Sequence, residues 1–225
     1  MSAFAGPSVA TNGMVFYFDA KNTMSYPGTG TACFDLMKNS ATGEAVNAPA
    51  YNSDGYFSFV TDDYIRFTNS TALDNQNFSI EVWVRTNATN QLGFWFEKGI
   101  VNTQYSLFQA NTVIYCRVNT GTIVNTIAVT TANFMNTTSW YQVVFTFTSG
   151  SQVCYINSAV AGTGTTTGTL ATNTGGMSIG AYGGYSGGRG YYYNGDLAIA
   201  AVYNRVLAPN EVKQNFNSIR GRFGI

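Results

Sequence analysis

The chain has 225 residues, 45% hydrophobic and 15% aromatic, with only 10% charged and a formal net charge of +0. Such a surface has no field to gather nucleic acid or an anionic membrane, and Ser, Thr, Asn and Tyr must supply its polarity, which suits neutral glycans or other proteins. With no histidine and three widely spaced cysteines (Cys33, Cys116, Cys154), the composition argues against a histidine-based nucleophile, a disulfide framework and a zinc site.

Residues 1–12 read as an N-terminal arm. It has neither a basic region nor a long apolar core, so no signal peptide is expected, and synthesis in a cytosol follows. No run in the chain approaches the roughly 20 apolar residues that span a bilayer. A strand is predicted at 14–19. Residues 22–50 form the longest irregular stretch, with Tyr26-Pro27-Gly28 as a turn inside it. Strands follow at 55–60 and 64–68. Between them Asp62 and Asp63 read as a turn that bonds local backbone, with oxygen donation to calcium as the alternative.

Period-two alternation then dominates, the mark of half-buried strands. Phe78, Ile80, Val82 and Val84 share one face, and Ser79, Glu81, Trp83 and Arg85 the other. Further strands are predicted at 92–98, 105–110, 112–118 and 123–130. In the next, Tyr141, Val143, Phe145 and Phe147 oppose Gln142, Val144, Thr146 and Thr148. Ser149-Gly150-Ser151-Gln152 reads as a hairpin turn into a strand at 153–156, and Cys116 and Cys154 lie inside strands as small buried hydrophobes. The last strands are predicted at 177–180 and 197–203. Trp83, Trp95 and Trp140 read as core plates, with an exposed lectin-type platform as the alternative. Asn-x-Ser/Thr sequons begin at Asn69, Asn77, Asn87 and Asn136 and are expected to be unmodified.

Between the last two strands lies a Gly/Tyr-rich loop over 180–195. Tyrosine presents a rigid apolar plate with a hydroxyl tip. Tyr182, Tyr185, Tyr191 and Tyr192, with Arg189 and Asn194 as hydrogen-bonding partners, are the candidate ligand contacts. Three readings stand: glycan contact, contact with a neighbouring subunit, or burial in the sandwich. After the last strand, Val212, Phe216 and Ile219 form one apolar stripe of a short helix. Pro209 suits its first turn, and Glu211 complements its dipole. Ala208 is a poor N-cap, weaker than Ser or Thr by about 1 kcal/mol, so docking should stabilise the helix more than its ends do. Residues 221–225 form a C-terminal tail. Phe4, Val9, Phe223 and Ile225 fall outside the core pattern and are candidate anchors to neighbouring subunits. The fold class expected is all-β: one antiparallel jelly-roll sandwich of two sheets over residues 13–220, with one short C-terminal helix.

An ordered set of segments resembles a known family. It runs through Asp54-Gly55-Tyr56-Phe57-Ser58-Phe59, Asp62-Asp63-Tyr64-Ile65 and Phe78-Ser79-Ile80-Glu81-Val82-Trp83-Val84. It continues with Phe96-Glu97-Lys98-Gly99, Trp140-Tyr141-Gln142-Val143-Val144-Phe145, Val153-Cys154-Tyr155-Ile156-Asn157 and Met177-Ser178-Ile179-Gly180. It closes on Tyr203-Asn204-Arg205-Val206-Leu207-Ala208-Pro209-Asn210-Glu211-Val212. The series is similar to the laminin-G-like branch of the concanavalin A-like lectin/glucanase superfamily over about residues 12–220. The early Gly13-Met14-Val15-Phe16-Tyr17-Phe18-Asp19-Ala20-Lys21-Asn22 and Ser25-Tyr26-Pro27-Gly28-Thr29-Gly30-Thr31 resemble the version found in structural proteins of tailed bacteriophages. The resemblance implies a sandwich with one concave face. It also implies a surface role on a virion, in a head decoration or a fibre, with other virion proteins or copies of the chain as partners. A carbohydrate-binding adhesin is the alternative. There are departures: Ser158 stands where relatives have Gly, so a turn longer than two residues is expected after Ile156. Ala208 replaces the usual polar cap, and Val60-Thr61 replaces the usual Gly after the Phe59 strand.

The superfamily's glucanases aim two acids along one strand at one glycosidic bond. Here Glu81 shares its face with Trp83 and Arg85, and adjacent Asp62 and Asp63 would point to opposite faces. No enzymatic activity and no cofactor are therefore expected.

Overall fold

The computed structural model describes residues 8–39, 42–99, 103–130, 136–172, 174–183 and 190–225. Among these, two antiparallel sheets of eight strands pack face to face. The first sheet runs β14 (Ala159–Gly164), β13 (Ser151–Ile156), β12 (Tyr141–Thr148), β7 (Phe78–Thr86), β16 (Gly195–Tyr203), β5 (Tyr56–Phe59) and β4 (Ala50–Asn52). Strand β1 (Met14–Asp19) pairs with the second half of β16. The second sheet runs β11 (Ile123–Thr130), β10 (Val113–Asn119), β9 (Tyr105–Asn111), β8 (Gln91–Lys98), β15 (Met177–Ile179), β6 (Tyr64–Phe67), β3 (Gly43–Val46) and β2 (Ala32–Cys33).

The alternating rows do what their period requires. Phe78, Ile80, Val82 and Val84 of β7 and Val143, Phe145 and Phe147 of β12 face inward, in one core with Phe96, Leu107, Ile114, Cys116 and Cys154. All three cysteines are free and buried. The opposite row of the first sheet is also buried, because helix α1 (Pro209–Ile219) and a 3-10 turn (Arg220–Phe223) lie across it. Val212 packs on Val144, Ala201 and Tyr203. Phe216 and Phe223 stack on Trp83 at 5.9 and 4.9 Å. The outer face of the second sheet carries no such cover among the described residues.

The structure corrects the sequence reading in four places. Residues 22–50 are not wholly irregular, since β2 and β3 form there and β4 begins at its end; they are too short to alternate visibly, and pairing of β2 with β3, β3 with β6 and β4 with β5 defines them. The turn at 149–152 is tighter, and β13 resumes at Ser151. The turn after Ile156 is not lengthened: Asn157 and Ser158 adopt φ of 49° and 65°, and Ile156 pairs directly with Ala159. Ser158 accepts the left-handed conformation because the strands on both sides are already paired. Strand β14 follows, unsignalled because its Ala, Gly and Thr residues carry no apolar period. Its Gly162 lies where a Cβ would meet Ile127 of the other sheet at 2.8 Å.

Helix α1 begins as the sequence suggests, with Pro209 in its first turn and no side-chain cap from Ala208. Glu211 compensates: its Oε2 accepts the Ala208 N–H at 2.9 Å, and Arg205 donates to both carboxylate oxygens at 2.7 and 2.6 Å. The bond from Arg205 holds the Glu211 carboxyl below its ordinary range.

Candidate functional site

The open face of the second sheet is built from three consecutive strands. On β9, Tyr105 and Leu107 point into the core, so Phe108 and Ala110 point out. On β10, Ile114, Cys116 and Val118 point in, so Tyr115 and Arg117 point out. Register places Phe94 of β8, Phe108 of β9 and Tyr115 of β10 directly opposite one another. The three rings form a cross-strand ladder. Phe94 and Phe108 stack at 4.4 Å with planes 4° apart, and Phe108 and Tyr115 lie 5.3 Å apart. Such cross-strand aromatic pairs are worth about 0.2–1 kcal/mol each. Here they also fix the rings as a floor.

Two residues of the Gly/Tyr loop complete the site. Tyr182 leans on Phe94 at 5.0 Å, and Tyr191 faces both at 6.3 and 5.8 Å. Tyr191 is held by its carbonyl, which accepts from Phe94 N–H at 3.2 Å. Its φ of 55° is uncommon for a bulky residue, and its side chain remains 51% exposed. Gly93 makes this approach possible, because a Cβ there would meet the Tyr193 Cα at 2.7 Å. Next to Tyr182, the buried carboxylate of Glu97 accepts the Gly183 N–H and, at 2.7 Å, the Thr103 hydroxyl. Ladder, tyrosines, Leu92, Ala110 and Arg117 enclose a cavity of about 480 Å³. The Arg117 guanidinium lies 4.3 Å from the centre of the Phe108 ring. Burial lowers its pKa from the ordinary value, and Tyr182 and Glu97 oppose that shift. None of the described residues lining the cavity is an acid. The arrangement offers apolar plates with hydroxyl and guanidinium donors at their edges.

The sequence-derived candidates scatter. Tyr182 and Tyr191 meet at the cavity. Tyr192 turns to Tyr64 at 6.3 Å, and Tyr193 is fully buried against Trp95 and Phe59. Asn194 is tied into the framework: its N–H donates to Gln91 at 2.8 Å, and its side-chain oxygen accepts from Asn87 at 3.1 Å. Tyr185 and Arg189 lie outside the described residues. Leu92, Phe94, Phe108, Tyr115 and Arg117 were not singled out by sequence. Their signal is the outward row of each of three neighbouring hairpin strands; alternation marks each row, and the register between the strands brings the rings together.

Asp63 accepts the Val60 N–H at 3.1 Å, as a turn residue does, and the Asp62 carbonyl accepts from Asn47 at 3.0 Å. No group of three or more potential metal ligands gathers among the described residues. All three tryptophans are buried, Trp83 and Trp140 beneath the C-terminal cover and Trp95 in the core. Val9 packs beside Met14 and Val212, and Phe223 and Ile225 pack against Trp83 and Trp140. Phe4 lies outside the described residues. No described helix is long and apolar enough to cross a membrane.

The fold matches solved lectin-like sandwiches. A sialidase from Trypanosoma rangeli, solved with sialic acid, superposes with a TM-score of 0.71 at 16% identity, over 100% of this chain and 36% of its own. The chain thus spans about a third of the sialidases it resembles. Domain 4 of AbnA, a GH43 extracellular arabinanase from Geobacillus stearothermophilus solved with arabinotriose, gives 0.68 at 15% identity, over 91% of this chain and 98% of that domain. The binding domain of botulinum neurotoxin serotype D gives 0.66 at 12% identity, over 91% and 51%. No curated protein matches by sequence. A family model described as the concanavalin A-like lectin/glucanases superfamily, of laminin-G type, matches residues 59–213. The chain belongs to the laminin-G-type branch of that superfamily.

Proposed function

We propose that this domain binds neutral glycans without cleaving them, in the cavity on the open face of the second sheet. The observation that carries this reading is the ring floor of Phe94, Phe108 and Tyr115 walled by Tyr182 and Tyr191. Ring faces take the apolar C–H faces of sugars, while the phenol and guanidinium edges bond hydroxyls. A non-catalytic role is supported by the acids on this face. Both Glu97 oxygens are occupied, and Glu44 is paired to Arg66 at 2.6 Å, so neither is poised as a general acid. The arabinanase domain solved with arabinotriose supplies the first probe. Arabinotriose, or the best ligand of a glycan array, should bind at millimolar or tighter, and Tyr191→Ala should weaken it about tenfold, or 1.4 kcal/mol. Unchanged binding in that variant would remove the site from consideration.

The resemblance to tailed-phage structural proteins supports a setting for this activity: display on a virion beside other virion proteins or copies of the chain. Mass spectrometry of purified particles checks it, and a chain found only in the lysate would count against it.

A further inference from the structure

A second cavity, of about 430 Å³, opens on the outer face of the first sheet where the C-terminal 3-10 turn docks. It is remote from the ring ladder and differs from it in chemistry. Its walls bring together Lys21 from the loop after β1, Asp54 from the β4–β5 turn, Tyr56 of β5, Arg85 of β7, Trp140 and Arg222. The chain has only 11 Lys and Arg in 225 residues, so three around one cavity is a concentration.

Two of these cations are fixed in place. Arg85 lies 5.2 Å from the centres of both the Tyr56 and Trp140 rings and pairs with Asp196 at 2.7 Å. Arg222 pairs with Asp19 at 2.7 Å and bonds the Gly55 carbonyl, while its Nε is buried and has no hydrogen-bond partner among the described residues. Lys21 donates to the Ser53 carbonyl at 2.6 Å and has no carboxylate within ion-pair distance among the described residues. Two protons of the exposed Lys21 ammonium are thus open to a ligand. An anion placed beside the exposed Lys21 ammonium would gain a charge-assisted hydrogen bond there. Asp54 adds a carboxylate with no ion pair among the described residues. It would repel a ligand that carries carboxylates alone, but it accepts hydrogen bonds from hydroxyls. The Tyr56 and Trp140 rings supply apolar edges between the two polar ends.

We infer that this cavity is a second binding site, built for an acidic saccharide whose residues carry both a carboxylate and hydroxyls, as uronates do. The carboxylate lies between Lys21 and Arg222, and the hydroxyls reach Asp54. This site is independent of the neutral-glycan cavity on the other sheet.

The test uses the whole chain and trigalacturonate, read by calorimetry or by NMR shifts. Trigalacturonate should bind at millimolar or tighter and weaken as salt is raised. Its methyl ester, which keeps the hydroxyls but not the charge, should bind at least tenfold more weakly. Lys21→Met, at an exposed position, should cost at least fivefold with the circular dichroism unchanged, and Tyr191→Ala should cost nothing. Absence of binding, equal binding of the methyl ester, or equal binding of a glutamate peptide would overturn the assignment. So would a loss on Tyr191→Ala, which would move the ligand to the other cavity.

Discussion

Glu81 is a carboxylate held away from water under the C-terminal helix. Its Oε1 accepts from Trp83 Nε1 at 3.1 Å and Gln142 Nε2 at 2.8 Å, and its Oε2 accepts from Asn215 Nδ2 at 2.7 Å. Asn215 also accepts the Ala10 N–H at 2.7 Å, so this one acid ties β7, β12, the helix and the N-terminal segment together. No cation pairs with it among the described residues, and all three donors are neutral. Burial raises its pKa above the ordinary carboxylate value, and the bonds from Gln142, Asn215 and Trp83 only partly offset this. The sign of the linkage follows. With the native value above the unfolded one, the contribution of Glu81 to stability is complete below the unfolded pKa. It is lost as pH rises from the ordinary carboxylate range through the raised native value. Thermal melts of wild type and Glu81→Gln across this range should therefore diverge, with the wild type losing stability relative to the variant as pH rises. Parallel pH profiles would show that Glu81 titrates in the folded chain as it does in the unfolded one.

At the scale of elements, the sequence was legible wherever burial on one face imposed a period. Strands β1, β7, β11 and β12 emerge close to their observed bounds because apolar residues recur at every second position. Elements held by pairing rather than by pattern did not emerge. Strand β3 exists because β6 offers it hydrogen bonds, β2 because β3 does, and β14 because glycines let it approach β11. The site was half legible for the same reason. Composition marked the Gly/Tyr loop but could not separate Tyr191, Tyr192 and Tyr193. Those three adjacent residues go to the cavity, to Tyr64 and to the core, because the chain there follows β8 with a left-handed residue at Tyr191. The ring ladder depends on registers between β8, β9 and β10 that no single segment encodes. The helix shows the complementary case. Ala208 was legible as a poor cap, whereas the rescue by Glu211 needs Arg205 to arrive from the end of β16.

At the scale of the molecule, the two outer faces of one sandwich have separate fates. Both begin as rows left over once the core is filled. The row on the first sheet includes Trp83 and Ile199, which are too apolar to leave in water, and the chain's own end covers them. The row on the second sheet is left open and carries the aromatic cavity. The C-terminal segment is thus a structural closure whose removal should act on one face alone. Phe223 stacks on Trp83 and Trp140 at 4.9 and 4.5 Å, and Ile225 packs beside it. Truncating a fully buried Phe costs about 3–5 kcal/mol, and Phe223 is half-buried, so loss of residues 220–225 should cost about 2 kcal/mol. For a domain of this size that lowers Tm by about 4–8 °C. The emission of Trp83 and Trp140 should shift to the red as their cover is removed. Binding at the ring ladder should be unchanged, because no residue of the deleted segment lines that cavity. Equal losses at both faces would mean that the sheets are coupled through the core, and that the division between a closed face and an open, binding face is wrong.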